Sequence, residues 1–159
     1  MGKRTTPNNI TELSKCEIFV FGSNLEGQHL GGAAWTAHEK FGAEWGVGDG
    51  PTGKCYAIPT MHGGIDEIKP YVDKFLQYAK KHPMNRFLVT RIGCGIAGFS
   101  DEEMAPLFLE GLRIPNITLP NKWLLTYLDL NIDINKALGE FQEPQPPAVI
   151  SEEVLLKNR

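Results

Sequence analysis

The sequence predicts an α/β domain with a mixed, largely parallel sheet. Three observations predict it. Short apolar runs rich in β-formers alternate with longer stretches of helical periodicity. Two of those runs, Cys16–Phe21 and Arg86–Arg91, give way to glycine-rich loops, and each loop is followed by a helix signal. A chain of 159 residues is long enough for one core and too short for two.

The elements follow in order. Residues 1–14 have basic side chains but no apolar stretch behind them, so they read as a flexible tail and not a secretory leader. Residues 15–140 read as the single domain. Cys16–Phe21, CEIFVF, is a continuous apolar run of the buried parallel-strand kind. A helix follows from about Gly31 to Phe41, with Ala33, Ala34, Ala37 and Phe41 at helical spacing and Gly42 as its stop. Residues 43–54 hold four glycines and a proline and read as a loop. Cys55–Pro59 is the second strand. Ile65–Lys81 is an amphipathic helix with Ile68, Val72, Phe75, Leu76 and Ala79 on one face, ended by His82-Pro83. Arg86–Arg91 is the third strand. Ser100-Asp101-Glu102-Glu103 has the S-x-x-E form of a capping box, which opens a helix over Glu102–Leu112. Asn116–Leu119 is a fourth strand, and Trp123–Leu130 fits either helix or strand. Residues 141–159 begin FQEPQPP and form a proline-rich extension, with one or two helical turns at Ser151–Lys157.

Composition narrows the function. A net charge of −3 argues against a duplex nucleic-acid binder, which needs a basic face. No apolar run approaches the ~20 residues of a membrane helix. Three widely spaced cysteines fit a reducing, cytoplasmic setting, with Cys16 and Cys55 in strand-like surroundings. His29, His38, His62 and His82 show no metal-ligand spacing, so neither metal nor cofactor is expected.

Gly93-Cys94-Gly95-Ile96-Ala97-Gly98 matches G-x-G-x-x-G between a strand and a helix. A dinucleotide fold would open its helix inside the motif and place an acid at the end of the next strand. Here the cap, Ser100, follows the glycines and the next strand ends without an acid, so a phosphate-cradling loop of another kind fits better. Gly48 to Cys55 is one residue short of a P-loop and runs into a strand, which rejects that reading. Right-handed crossovers place the loops after the first and third strands on one sheet edge, facing one crevice.

Candidate ligand contacts in the first loop are Gly22, Ser23, Asn24, Gly31 and Gly32. Those in the second are Gly93, Cys94, Gly95, Ile96, Ala97, Gly98 and Phe99. The Asn24 amide either reads a ribose hydroxyl or closes its own turn. His29 is the one histidine placed near a ligand. Cys94 lies near a helix start that would lower a thiol pKa, with no base assigned to it, and otherwise is a small residue filling a tight loop. Phe99 offers a planar face to a ribose or base.

With both loops in hand, the chain resembles the macro-domain family. The stretches that carry the resemblance are FGSNLEGQHLGGAAWTAHEKFG, residues 21–42, and IGCGIAGFSDEE, residues 92–103. The likeness spans about residues 16–120 and extends to a group of bacterial and phage proteins with the same V-F-G-S-N-L and Y-A-I-P-T forms. It implies a three-layer α/β/α fold and an ADP-ribose-type ligand. Asn24 would contact ribose, Gly31 and Gly32 would belong to the first loop, and Gly93–Phe99 would wrap the diphosphate and distal ribose. The chain departs from the family in its GSN motif and its shortened glycine cluster. The family's catalytic acid has no clear match, and Glu26 is the nearest. Catalytic candidates are therefore Asn24, Glu26 and His29. The enzymatic form of this reading is a hydrolase of O-glycosidic, ester or 1″-phosphate ADP-ribosyl linkages. The non-catalytic form is a binder that sequesters an NAD-derived signal nucleotide, as in a phage or mobile element. A module for another nucleotide phosphate is the third form. A homo-oligomer through residues 141–159 is the one protein partner envisaged.

Overall fold

The computed structural model describes residues 5–134. The order is β1 (Glu17–Ser23), α1 (Gly32–Phe41), β2 (Gly50–Thr52), β3 (Cys55–Pro59), α2 (Ile65–Lys81), β4 (Arg86–Val89), α3 (Asp101–Met104), a 3₁₀ stretch (Ala105–Arg113), β5 (Ile117–Thr118) and α4 (Asn121–Asp129). The sheet order is β2-β3-β1-β4-β5. β1 lies at the centre and pairs in parallel with β3 and β4, β4 pairs in parallel with β5, and β2 is antiparallel to β3. The sheet is thus mixed and largely parallel.

Alternation along the strands divides the core. Val20, Tyr56, Ile58, Phe87 and Val89 face the layer made by α2, the 3₁₀ stretch and α4. Phe19, Phe21, Cys55 and Ala57 face α1, through Ala37 and Phe41. Successive strand side chains point to opposite faces, so continuous apolar runs are what a sheet covered on both faces requires.

Several features differ from the sequence reading or decide what it left open. The tail to residue 14 is not loose where it is described. Thr6 is buried, donates its N–H to Leu119 O at 2.9 Å and pairs its hydroxyl with that of Thr118 at 2.8 Å, while Ile10 and Leu13 pack on the α1 face. The 43–54 loop holds β2, because Gly53 at φ +57 lets the chain reverse into β3. The helix after Ser100 is α-helical for only four residues. Pro106 has no N–H to return to the preceding turn, and the Tyr127 hydroxyl takes the Ala105 carbonyl at 2.6 Å, so the chain tightens to 3₁₀. Residues 123–129, left open by the sequence, are helical, with Trp123, Thr126 and Tyr127 buried at i, i+3 and i+4. Cys16 is exposed, one residue ahead of β1. The proline-rich extension, its helical turns and the oligomer proposed through it lie outside the described residues.

The 43–49 segment packs backbone-to-backbone on the loop after β1. Gly46 donates its N–H to Gly27 O at 2.9 Å, and the Ser23 hydroxyl donates to Gly48 O. A Cβ on Gly48 would lie 1.8 Å from Asn24 O. We predict that Gly48→Ala lowers unfolding free energy in urea by about 2–3 kcal/mol, the range of overpacking substitutions. A change below about 0.5 kcal/mol would show that the two loops are not in contact.

Candidate functional site

The parallel pairing of β1 with β3 and β4 brings three chain exits to one sheet edge. They are Asn24 after β1, Thr60 and Met61 after β3, and Thr90 and Arg91 after β4. All five residues line a cavity of about 320 Å³, together with Gly22, Ser23 and Gly31–Ala34 from the first glycine loop and Ile92, Gly93 and Gly95–Ala97 from the second. Both loops therefore face one cleft. They also meet across it: the Ile96 Cδ1 atom lies 3.2 Å from where a Gly31 Cβ would sit.

The cleft is rich in unused backbone donors. Among the described residues, no acceptor takes the N–H groups of Gly93, Gly95, Ile96 or Ala97. Opposite them, α1 begins at Gly32 with no side-chain cap, and its first backbone bond runs from Trp35 N–H to Gly31 O. The N–H groups of Gly32, Ala33 and Ala34 are thus left without intrahelical partners. Two groups of free donors at the walls of one cavity form a concave site for anionic oxygens.

The second loop is held from behind by Asp101. This buried carboxylate accepts from Arg91 Nε at 3.0 Å and Nη2 at 2.7 Å, from Trp123 Nε1 at 2.8 Å and from Cys94 Sγ at 3.4 Å. The Arg91 hydrogen bonds hold the Asp101 carboxyl below the usual carboxylate range, against the opposing effect of burial and with help from Trp123 and Cys94. The capping box forms as the sequence predicts: Ser100 Oγ accepts from Glu103 N, and Glu103 Oε1 accepts from Ser100 N.

The structure gathers some candidate residues and separates others. Gly22, Ser23, Asn24, Gly31, Gly32, Gly93, Gly95, Ile96 and Ala97 line the cleft, whereas Cys94, Gly98, Phe99, Glu26 and His29 do not. Asn24 closes its own turn: Nδ2 donates to Gln28 O at 3.1 Å and Oδ1 accepts from Gln28 N at 2.9 Å. One N–H and one lone pair remain on its amide. Phe99 packs on the core behind the loop. His29 is buried against Phe21, His38 and Trp45, with Nε2 donating to Glu44 O at 2.9 Å. Glu26 is exposed at the rim, 3.7 Å from His62 Nε2. That same nitrogen accepts the Leu25 N–H at 2.8 Å, so it carries a lone pair and the contact with Glu26 is not an ion pair in this tautomer. Burial and the nearby Asp101 charge push the Cys94 thiol up to about 12, opposite to the helix-start expectation, so it stays protonated at neutral pH.

Lining residues outside the candidate set are Gln28, Leu30, Ala33 and Ala34 in the first loop and its helix, Thr60 and Met61 after β3, and Thr90, Arg91 and Ile92 after β4. Thr90 and Arg91 close the strand that the sequence predicts over Arg86–Arg91, but β4 ends at Val89 and both residues lie in the exit that points at the crevice. A second chamber of about 220 Å³ adjoins the first at Ala33, Thr90 and Arg91, and its far wall is the N-terminal segment Thr6–Ile10. A larger opening of about 560 Å³ lies at the opposite sheet edge, beside Cys16, Lys80, Arg86 and Arg113. The cleft is the better candidate despite its smaller volume, because there the free backbone donors of two loops converge.

The described residues contain no group of three or more side chains placed to hold a metal, and no helix among them is long and apolar enough to cross a membrane. Comparison with known proteins finds no matching family model, no matching curated protein and no matching solved structure.

Two predictions follow from the geometry. Under iodoacetamide at pH 8, Cys16 alkylates while Cys55 and Cys94 are protected, because burial raises both thiols to about 12. Rapid labelling of Cys94 read by mass spectrometry would contradict its placement. Asp101 contributes stability that is fully present above the unfolded carboxyl pKa of about 4 and is lost as pH falls through its lower folded value. The stability difference between wild type and Asp101→Asn should therefore shrink below about pH 4. A difference that is flat with pH would show that the carboxylate is not held by Arg91.

Proposed function

We propose that the protein binds ADP-ribose, or a closely related NAD-derived nucleotide, in the cleft between its two glycine-rich loops. The observation that carries this reading is the convergence of free backbone N–H groups from both loops on one cavity. Unshielded backbone donors at a helix N-terminus and in a glycine loop suit the oxygens of a diphosphate. The likeness of residues 21–42 and 92–103 to macro domains supplies the ligand class. The two adjoining chambers supply room on either side of a central phosphate group, in the size range of small-molecule clefts (about 300–1,000 Å³).

Capture suits the site better than hydrolysis. Among the described residues, Arg91 is the one charged side chain lining either chamber, and no carboxylate or imidazole joins it. General acid–base catalysis needs such a group within reach of the scissile bond. A hydrolytic version would have to orient its water through the phosphate of the substrate itself.

Calorimetric titration with ADP-ribose tests the reading. Binding at micromolar to millimolar ligand is expected, and no heat at millimolar ADP-ribose would overturn it. Gly95→Glu should weaken binding by about a hundredfold or more, by setting a carboxylate against the ligand phosphates. No atom lies within 4 Å of a Gly95 Cβ, and its φ is not in the left-handed region, so the fold accommodates the change. Unchanged affinity would mean that the second loop is only a turn. Incubation with ADP-ribose 1″-phosphate or ADP-ribosylated protein should give stoichiometric retention, and multiple turnovers would mark a hydrolase instead.

A further inference from the structure

Arg91 sits where the two chambers meet, since Ala33, Thr90 and Arg91 line both. Its guanidinium is half exposed, and its Nε and Nη2 atoms are fixed on Asp101. Asp101 is in turn fixed by Trp123 from α4 and by Cys94 from the second loop. Among the described residues, Nη1 has no acceptor. An arginine held in this way loses little further freedom when it binds an anion, and its planar fork aims the remaining donors in one direction.

Resting on the nucleotide reading above, we propose that Arg91 is the specificity-determining contact of the cleft, and that it selects ligands whose negative charge lies in the middle. The cation stands at the neck, and among the described residues no other charged side chain lines either chamber. A diphosphate that bridges two neutral sugar or sugar–base halves places its charge at that neck. A nucleoside triphosphate, whose charge lies at one end, would carry part of that charge beyond the one charged side chain that lines the chambers. Asp101 is a positioning residue in this arrangement: it aims the guanidinium without touching the ligand. Trp123 and Cys94 couple that aim to α4 and to the glycine loop.

The test compares ADP-ribose, ATP and adenosine by calorimetry on wild type, Arg91→Met and Arg91→Lys, with folding checked by circular dichroism. Wild type should prefer ADP-ribose to ATP. Arg91→Met should lose about tenfold to a hundredfold in ADP-ribose affinity, the scale of one hydrogen-bonded charge contact, flatten the salt dependence of Kd and leave adenosine unchanged. A merely structural role would weaken adenosine and ADP-ribose alike. Equal affinity for ATP, or a folded Arg91→Met with unchanged ADP-ribose affinity and salt dependence, would overturn the proposal. If Arg91→Met does not fold, Arg91→Lys decides, because it keeps the charge but loses the fork. A loss for ADP-ribose alone then supports the assignment, and no loss overturns it. If wild type does not bind ADP-ribose, the nucleotide reading falls by itself, and inorganic pyrophosphate becomes the probe. Pyrophosphate binding that Arg91→Met abolishes supports the anion contact, and its absence in wild type overturns that contact too.

Discussion

The buried carboxylate of Asp101 ties the site to the scaffold. It sits at the first position of α3, directly after the Ser100 cap, and receives donors from Arg91 just after β4, from the glycine loop and from α4. A buried carboxylate is stable only when its lone pairs are met, and removing one partner of such a pair typically costs about 3–5 kcal/mol. Four donors meet this one, so the loop between Arg91 and Ser100 is held at both ends while its middle stays open. That division leaves the N–H groups of residues 95–97 without acceptors among the described residues, at positions that line the cavity.

The glycines divide into two kinds on the same physical grounds. Gly27, Gly48 and Gly53 are glycines because neighbouring backbone leaves no room for a Cβ, with atoms 1.8–2.3 Å from where one would sit. They clamp the 43–54 segment onto the rest of the fold, and no residue of that segment lines the cleft. The segment braces the first loop from outside the cleft. Gly95 is the opposite case: it has open space and a backbone angle that other residues adopt, so no packing constraint accounts for it. A small residue that the fold does not need, at the wall of a cavity, is what close approach of a ligand to the backbone would require.

The sheet and its helices were legible in the sequence, because burial on both faces writes itself as apolar runs and helical stripes. EIFVF, CYAIP and the Ile68–Ala79 stripe all fall inside the elements they predict, with Cys16 one residue short of β1. The convergence of the two loops was also legible, since it follows from parallel strands exiting at one edge. What the sequence concealed depended on partners distant along the chain. Thr6 docks on residues 118–120, and nothing local to residues 1–14 signals that contact. Tyr127 takes the Ala105 carbonyl and helps turn a predicted α-helix into 3₁₀. Asn24 and His29 have the chemistry of site residues, yet Asn24 spends its amide on its own turn and His29 lies in an aromatic cluster. Arg91 was overlooked because a terminal strand residue carries no motif, and only the neighbouring chambers give it a role.

In the proposed complex the backbone of both loops holds one ligand at once. Amide chemical-shift mapping in ¹⁵N-labelled protein during titration with ADP-ribose measures this most directly. The amides of Gly31–Ala34 and of Gly93–Ala97 should move together with a single saturation curve. Shifts confined to one loop, or clustered at the opposite sheet edge around Arg86 and Arg113, would contradict it.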